Sequence, residues 1–180
     1  MTSTDLVVQS ALNAVPGPDR LATLLAWMDS DAKVTPLKTL QGIIWAAGYA
    51  DGSIQGALYP DVAPALARWH RAGIRLAVYS SGSVAAQRLL FRHSVAGDVS
   101  ALFDAHFDTG AGPKREAASY TAIATALAVM PKRILFLSDV VDELDAARAA
   151  GCDTCQVVRP DDGAIAGTHR TATSFARIAP

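Results

Sequence analysis

Cysteine is scarce in this chain: Cys152 and Cys155 are the only two among 180 residues. A single pair is too few for a disulfide framework or a complete zinc site. This CxxC also falls at a helix-to-strand junction rather than opening a helix after a strand, so both thiols are read as small buried residues. Net charge is nearly absent, at a formal −1, and no surface for nucleic acid or an anionic membrane is expected. No apolar run is long enough to span a bilayer. The opening MTSTDLVVQSALNAV has no basic n-region and does not read as a signal sequence, which predicts a cytoplasmic protein. His70, His93, His106 and His169 are dispersed without metal-ligand spacing and are assigned to core or surface. There is no GxxxxGK[ST] and no GxGxxG. No hydrophobic strand ending in D-x-D or D-x-E precedes Ser80, so the sequence shows no carboxylate nucleophile for phosphoryl transfer.

The stretch Arg133 to Gly151, RILFLSDVVDELDAARAAG, organises the rest. Ile134 to Leu137 is a short apolar run suited to a strand buried on both faces. Ser138, Asp139, Asp142 and Glu143 follow at once, then Leu144, Ala146, Ala147 and Ala150 at helical spacing, with Gly151 as the stop. A loop beyond the carboxyl end of a parallel strand is where α/β folds bind ligands. Crowded carboxylates there suit Mg²⁺, a hard cation with oxygen ligands. The competing reading makes Asp139 a helix cap and the other acids partners of the helix dipole. Both stay open on the local motif.

The remainder alternates helix and strand from Leu58 onward, which predicts an α/β fold with a parallel sheet in residues 58–180 and a helical portion in 1–57. In the helical portion, Asp19 starts a helix whose Leu21, Leu24, Leu25 and Met28 form a packing stripe. Asp29-Ser30-Asp31 is read as its solvated end. A second helix runs from Pro36 and ends at Gly48. In the sheet portion, helix 61–72 precedes strand Ile74 to Tyr79, and Ser80-Ser81-Gly82-Ser83 precedes helix Val84 to Phe91. Ala105 to Phe107 is a further strand, and TGAGP carries Lys114 into helix Ala117 to Val129. Strand Thr154 to Val158, loop Asp161 to Thr168 and a last strand with a turn at Thr173 to Ile178 complete the chain. Hydroxyls and backbone N–H groups at a helix start make an anion seat, or only a cap and turn. Lys114 is a point charge against a phosphate, or a solvated neighbour of Arg115. In sequence order these clusters belong on one sheet edge, and together they describe a phosphate seat with a cation beside it.

LAVYSSGSVAAQRLLF, HFDTGAGPKREAASY, ILFLSDVVDELDAARAAG and QVVRP resemble the haloacid dehalogenase (HAD) superfamily, and within it the enolase-phosphatase E1, or acireductone synthase, family. WMDSDAKVTPLKTLQGIIWAAGY and GALYPDVAPAL resemble that family's α-helical cap and the return to its Rossmann-like core. The resemblance runs from about Leu24 to Pro160. It implies that Ser80 and Ser81 hold the substrate phosphate and that Lys114 neutralises it as a catalytic residue. It makes Asp139 a Mg²⁺ ligand, with Asp142 or Glu143 as the second acid of that loop. It also implies conversion of the small-molecule phosphate ester 2,3-diketo-5-methylthiopentyl-1-phosphate to acireductone plus phosphate in methionine salvage, by a monomeric full-length enzyme.

The family's D-x-E-G-T strand, whose first Asp accepts the phosphoryl group, has no counterpart here. Its lack predicts unpaired edges in the core sheet and little or no turnover from these 180 residues. A chain begun at an internal Met, a degenerate relative, and a short form completed by a strand from another chain are the explanations, the first preferred. The alternative function is a non-catalytic phosphate-binding or dimerising module.

Overall fold

The computed structural model describes residues 2–30, 32, 34–160, 163 and 165–180. The chain divides into two compact units, residues 1–55 and 56–180.

The first unit is helical. α1 (Ser3–Asn13) opens on a capping box: Thr2 Oγ1 accepts the Asp5 N–H, and the Asp5 carboxylate accepts the Thr2 N–H. α2 (Arg20–Asp29) starts at Asp19, whose carboxylate accepts the Ala22 N–H at 2.9 Å. The expected stripe on α2 is not a packing surface, since Leu21, Leu25 and Met28 stand half or more exposed. The flank formed by Thr23, Leu24 and Trp27 is the partly buried one, a small rotation from the stripe. α3 (Thr35–Asp51) carries Pro36 in its first turn, as expected, but does not stop at Gly48. Gly48 is buried inside the helix because Ile54 folds back on it; a Cβ there would meet Ile54 Cδ1 at 2.5 Å. The helix ends at Gly52, whose φ of 80° is the left-handed stop that glycine supplies. Asp29 is exposed at the end of α2. Asp31 of that acidic terminus lies outside the described residues, as do Asp161, Asp162 and Ala164 of the expected 161–168 loop.

The second unit is α/β and all its strand pairs are parallel. α4 (Val62–Arg71) leads to β1 (Ala77–Tyr79), α5 (Val84–Arg92) and β2 (Ala105–Phe107). α6 (Ala117–Ala126), β3 (Leu135–Ser138), α7 (Val141–Ala149), β4 (Asp153–Val157) and β5 (Arg170–Ala172) follow. β1 pairs with β2, with Val78 opposite His106. β3, β4 and β5 form a second sheet, with Ser138 opposite Gln156. Strand β1 is shorter than expected because the chain pairs differently before it: Leu76 N–H donates to the Asp104 carboxylate and Leu76 C=O accepts Asp104 N–H. The last strand falls earlier than expected. Residues 170–172 pair with β4, and 175–177 form a 3-10 turn.

The two sheets share their helical cover. Val62, Ala65, Leu66 and Trp69 of α4 pack with Leu76 ahead of β1 and with Leu135 and Leu137 of β3. On the other face Tyr120 of α6 meets Tyr79 of β1 edge-on at 5.7 Å and Phe136 of β3 at 4.9 Å. Among the described residues β1 and β3 are not paired with each other, so each keeps one unpaired edge. Their carboxyl ends nevertheless point to the same rim.

One ion pair fastens α4 to the segment after β4. Arg159 grips Asp61 with two bonds of 3.0 and 3.1 Å, and Asp61 also accepts the Phe175 N–H at 2.6 Å. The guanidinium stacks on Tyr59 at 3.8 Å. Both side chains are largely buried, at 10% and 19% exposed. Burial pushes the Asp61 pKa up, but the bonds from Arg159 and the Phe175 N–H outweigh it, and the net shift is downward. The stabilisation is therefore fully present above the ordinary carboxylate range and is lost as pH falls through the lowered value. Arg159→Ala should lower unfolding stability by about 2–4 kcal/mol at neutral pH, because it strands a partly buried carboxylate. Urea denaturation should also show a flatter acid limb for the variant than for the wild type.

Candidate active site

Three chain segments meet at the shared rim. Tyr79, Ser80 and Ser81 come from the end of β1, Thr109 and Gly112 to Arg115 from the loop after β2, and Glu143 from the first turn of α7. They line a cleft of about 250 Å³.

Each serine of SSGS has its own place. Ser83 is the cap of α5, accepting the Ala86 N–H at 3.2 Å. Ser80 Oγ accepts the Gly82 N–H at 3.2 Å and so closes the turn. Ser80 and Ser81 face the cleft. The cap reading thus holds for Ser83, while the two residues expected to bind phosphate are the two that line the cavity.

The Lys114 loop is built rigidly. Gly112 has a φ of 118°, and a Cβ there would sit 2.3 Å from Ser119 Oγ. Ser119 Oγ–H donates to Pro113 C=O at 2.7 Å, and Tyr120 O–H donates to Lys114 C=O at 2.7 Å. Tyr79 O–H donates to Gly112 C=O at 2.7 Å, and its ring lies 5.7 Å from Lys114 Nζ. Burial raises the pKa of both tyrosines, with the Glu143 charge adding to it, so both phenols stay protonated as donors. Lys114 Nζ reaches Glu143 at 3.1 and 3.3 Å. Glu143 also accepts from Ser138 Oγ at 2.9 Å, and Ser138 Oγ in turn accepts the Val140 N–H.

The acids of the DVVDE stretch therefore separate. Glu143 faces Lys114, whereas Asp142 points outward to Arg115 at 3.5 Å in an exposed pair. Asp139 is exposed and is not among the cleft-lining residues. It does not cap α7 either, since the cap position is Val140 and no side chain fills it. Among the described residues no three His, Cys, Asp or Glu side chains gather as a metal cage. Cys152 and Cys155 are buried and free.

A family model described as haloacid dehalogenase-like hydrolase matches residues 16–151. The enolase-phosphatase E1 of Acidiphilium cryptum is 57% identical over 165 residues, which is 91% of this chain and 71% of that protein. This chain belongs to the enolase-phosphatase E1 branch of the haloacid dehalogenase-like hydrolases. The enolase-phosphatase E1 of Frankia alni is 58% identical over 161 residues, covering 88% of this chain and 68% of its own length. Among solved structures, the UTR4 protein of Saccharomyces cerevisiae superimposes with a TM-score of 0.83 at 28% identity, over 98% of this chain and 82% of that one.

Two features of this HAD-family cleft escape a reading of motifs. Tyr79 looks like the last apolar residue of a strand, yet it braces the lysine loop. Asp108 follows β2 and ties that loop to the start of α5, accepting the Gly110 N–H at 2.9 Å and facing Val84 N–H at 3.4 Å. An acid directly after a strand, in AHFD, is the signal that marks it.

The loop geometry makes a test. Gly112→Ala should lower stability by about 1–3 kcal/mol through its positive φ and the collision with Ser119. Adding Ser119→Ala should recover only part of that loss in chemical denaturation, since the backbone strain remains.

Proposed function

We propose that this chain carries the phosphate-binding part of a Mg²⁺-dependent enolase-phosphatase, an acireductone synthase of methionine salvage that converts 2,3-diketo-5-methylthiopentyl-1-phosphate to acireductone and phosphate, and that turnover by these 180 residues is impaired because no carboxylate nucleophile precedes Ser80. The observation that carries the reading is the convergence of Ser80, Ser81 and Lys114 on one cleft at the carboxyl ends of parallel strands. The names and identities of the relatives support the substrate class. We assign the chain to the cytoplasm and the full-length enzyme to a monomeric state, with the helical unit as its cap portion.

The residues divide the work. Ser80 and Ser81 offer hydroxyl donors to the phosphate oxygens. Lys114 supplies the compensating charge, fixed in position by Glu143, and acts on the charge that develops as the phosphoryl group leaves. The same ammonium steadies an enolate formed before phosphate release. Tyr79 and Tyr120 hold the lysine loop from below. Mg²⁺, which takes one or two carboxylates with water and substrate phosphate, would find in Asp139 one hard oxygen ligand and would neutralise phosphate charge there. The described residues supply no cage of three His, Cys, Asp or Glu side chains of their own for it.

Lys114→Met should weaken binding of inorganic phosphate about tenfold or more, the loss of one charge-assisted contact. Asp139→Asn should leave phosphate binding in metal-free buffer unchanged while abolishing any gain from Mg²⁺. Calorimetric titration of phosphate with and without Mg²⁺ reads both effects, and a phosphate-ester assay alongside separates turnover from binding alone. Wild-type phosphate affinity in Lys114→Met would sink the assignment.

A further inference from the structure

Two buried glutamines lie behind the cleft. Gln87 on α5 is 5% exposed and Gln156 on β4 is 0% exposed. Neither lines the cavity, and each spends its amide on loop backbone.

Gln87 Nε2 donates to Gly82 C=O at 2.8 Å and to Phe107 C=O at 2.9 Å, and its Oε1 lies 3.1 Å from His106 Nδ1. Only this amide orientation is satisfied, since the reverse would aim an oxygen at two carbonyl oxygens. The bond to His106 then requires a proton on Nδ1. Burial, and secondarily the Arg88 charge, holds the His106 pKa below its usual value, which leaves a neutral ring with Nδ1–H as donor. Gln156 repeats the pattern on the other sheet. Its Nε2 donates to Asp139 C=O at 3.1 Å and Ile165 C=O at 2.9 Å, and its Oε1 accepts the Gly167 N–H at 2.7 Å.

The consequence lies in the peptide planes. In a trans peptide the C=O and the following N–H point oppositely. Drawing Gly82 C=O inward fixes the plane after it, in the turn where Gly82 N–H already holds Ser80 Oγ. Drawing Asp139 C=O inward turns Val140 N–H the other way, onto Ser138 Oγ at 3.1 Å. Ser138 Oγ–H donates to Glu143, and Glu143 holds Lys114. A continuous line of bonds thus runs from Gln156 to the cleft lysine. An apolar side chain here would leave these buried backbone groups unpaired, which costs stability; the same directed bonds also hold each loop in one orientation.

We propose that Gln87 and Gln156 are positioning residues of the phosphate cleft, Gln87 setting the serine turn and Gln156 setting the Ser138–Glu143–Lys114 line. The inference rests on the phosphate reading above. Gln87→Met and Gln156→Met keep the side-chain length and remove the bonds. Titrated with inorganic phosphate, each should lose about tenfold or more in affinity while still melting cooperatively. Thr154→Val is the control: it removes a partly buried bond of 2.9 Å to His169 away from the cleft. It should lower the melting temperature and leave phosphate affinity within about twofold. Should Gln87→Met fail to fold, Gln87→Glu takes its place. The introduced carboxylate faces two carbonyls at neutral pH, and the affinity deficit relative to wild type should shrink near about pH 5, where a buried carboxyl gains a proton and can donate again. Folded methionine variants with wild-type affinity, or a glutamate variant with no deficit at neutral pH, would overturn the inference alone. A wild-type chain that does not bind phosphate would overturn the functional reading and this inference with it.

Discussion

The ion pair between Lys114 and Glu143 joins what the backbone leaves apart. Lys114 belongs to the loop after β2 and Glu143 to the helix after β3, on two sheets that share no strand pairing among the described residues. The pair is half sheltered, at 29% and 13% side-chain exposure. A fully exposed pair would contribute little, and a fully buried one would have to overcome heavy desolvation. Here the glutamate is satisfied from two sides, by the ammonium and by Ser138, so its charge is compensated where water is scarce. That arrangement leaves the lysine aimed at the cleft and still able to meet an anion.

The supports behind the pair are mostly neutral hydrogen bonds to backbone. Tyr79, Tyr120 and Ser119 each donate a hydroxyl to a carbonyl of the 112–114 segment. Phenols kept protonated by burial are dependable donors over the working pH range. Gln87 and Gln156 do the equivalent for the other loops. The cleft proposed for phosphate is thus held, apart from the Lys114–Glu143 pair, mostly by uncharged groups, which neither compete for an anion nor change with salt. The Arg159–Asp61 clamp is not part of the cleft lining and fixes the start of α4 to the segment after β4.

The strand, loop and helix at 135–149 were legible because their signals are local. An apolar run followed at once by acids, then by alanines at helical spacing, admits few other conformations. The serines and Lys114 were legible as candidates for the same reason, each sitting just past a strand or in a glycine-rich loop. Other features were not legible. The α2 stripe looked like packing surface, but its exposed residues are Leu21, Leu25 and Met28, and the neighbouring flank is the one that packs. Gly48 looked like a helix stop, yet Ile54 fills the space beside it and the helix runs on to Asp51. A glycine signals a stop only when no distant side chain has a use for its missing Cβ.

From residues alone came the α/β class, the parallel strands, the family likeness and the residues eligible to form a phosphate site. Tertiary structure alone chose among the three acids. Asp139, Asp142 and Glu143 are within five positions of one another, but the pitch of α7 turns Glu143 toward Lys114 and Asp142 outward to Arg115. It also gave Tyr79, Gln87 and Gln156 their tasks, because their hydrogen-bond partners lie between 5 and 33 residues away along the chain. Spacing in a sequence reports which residues a helix or strand can align; which of them meet across elements is decided only when the elements pack.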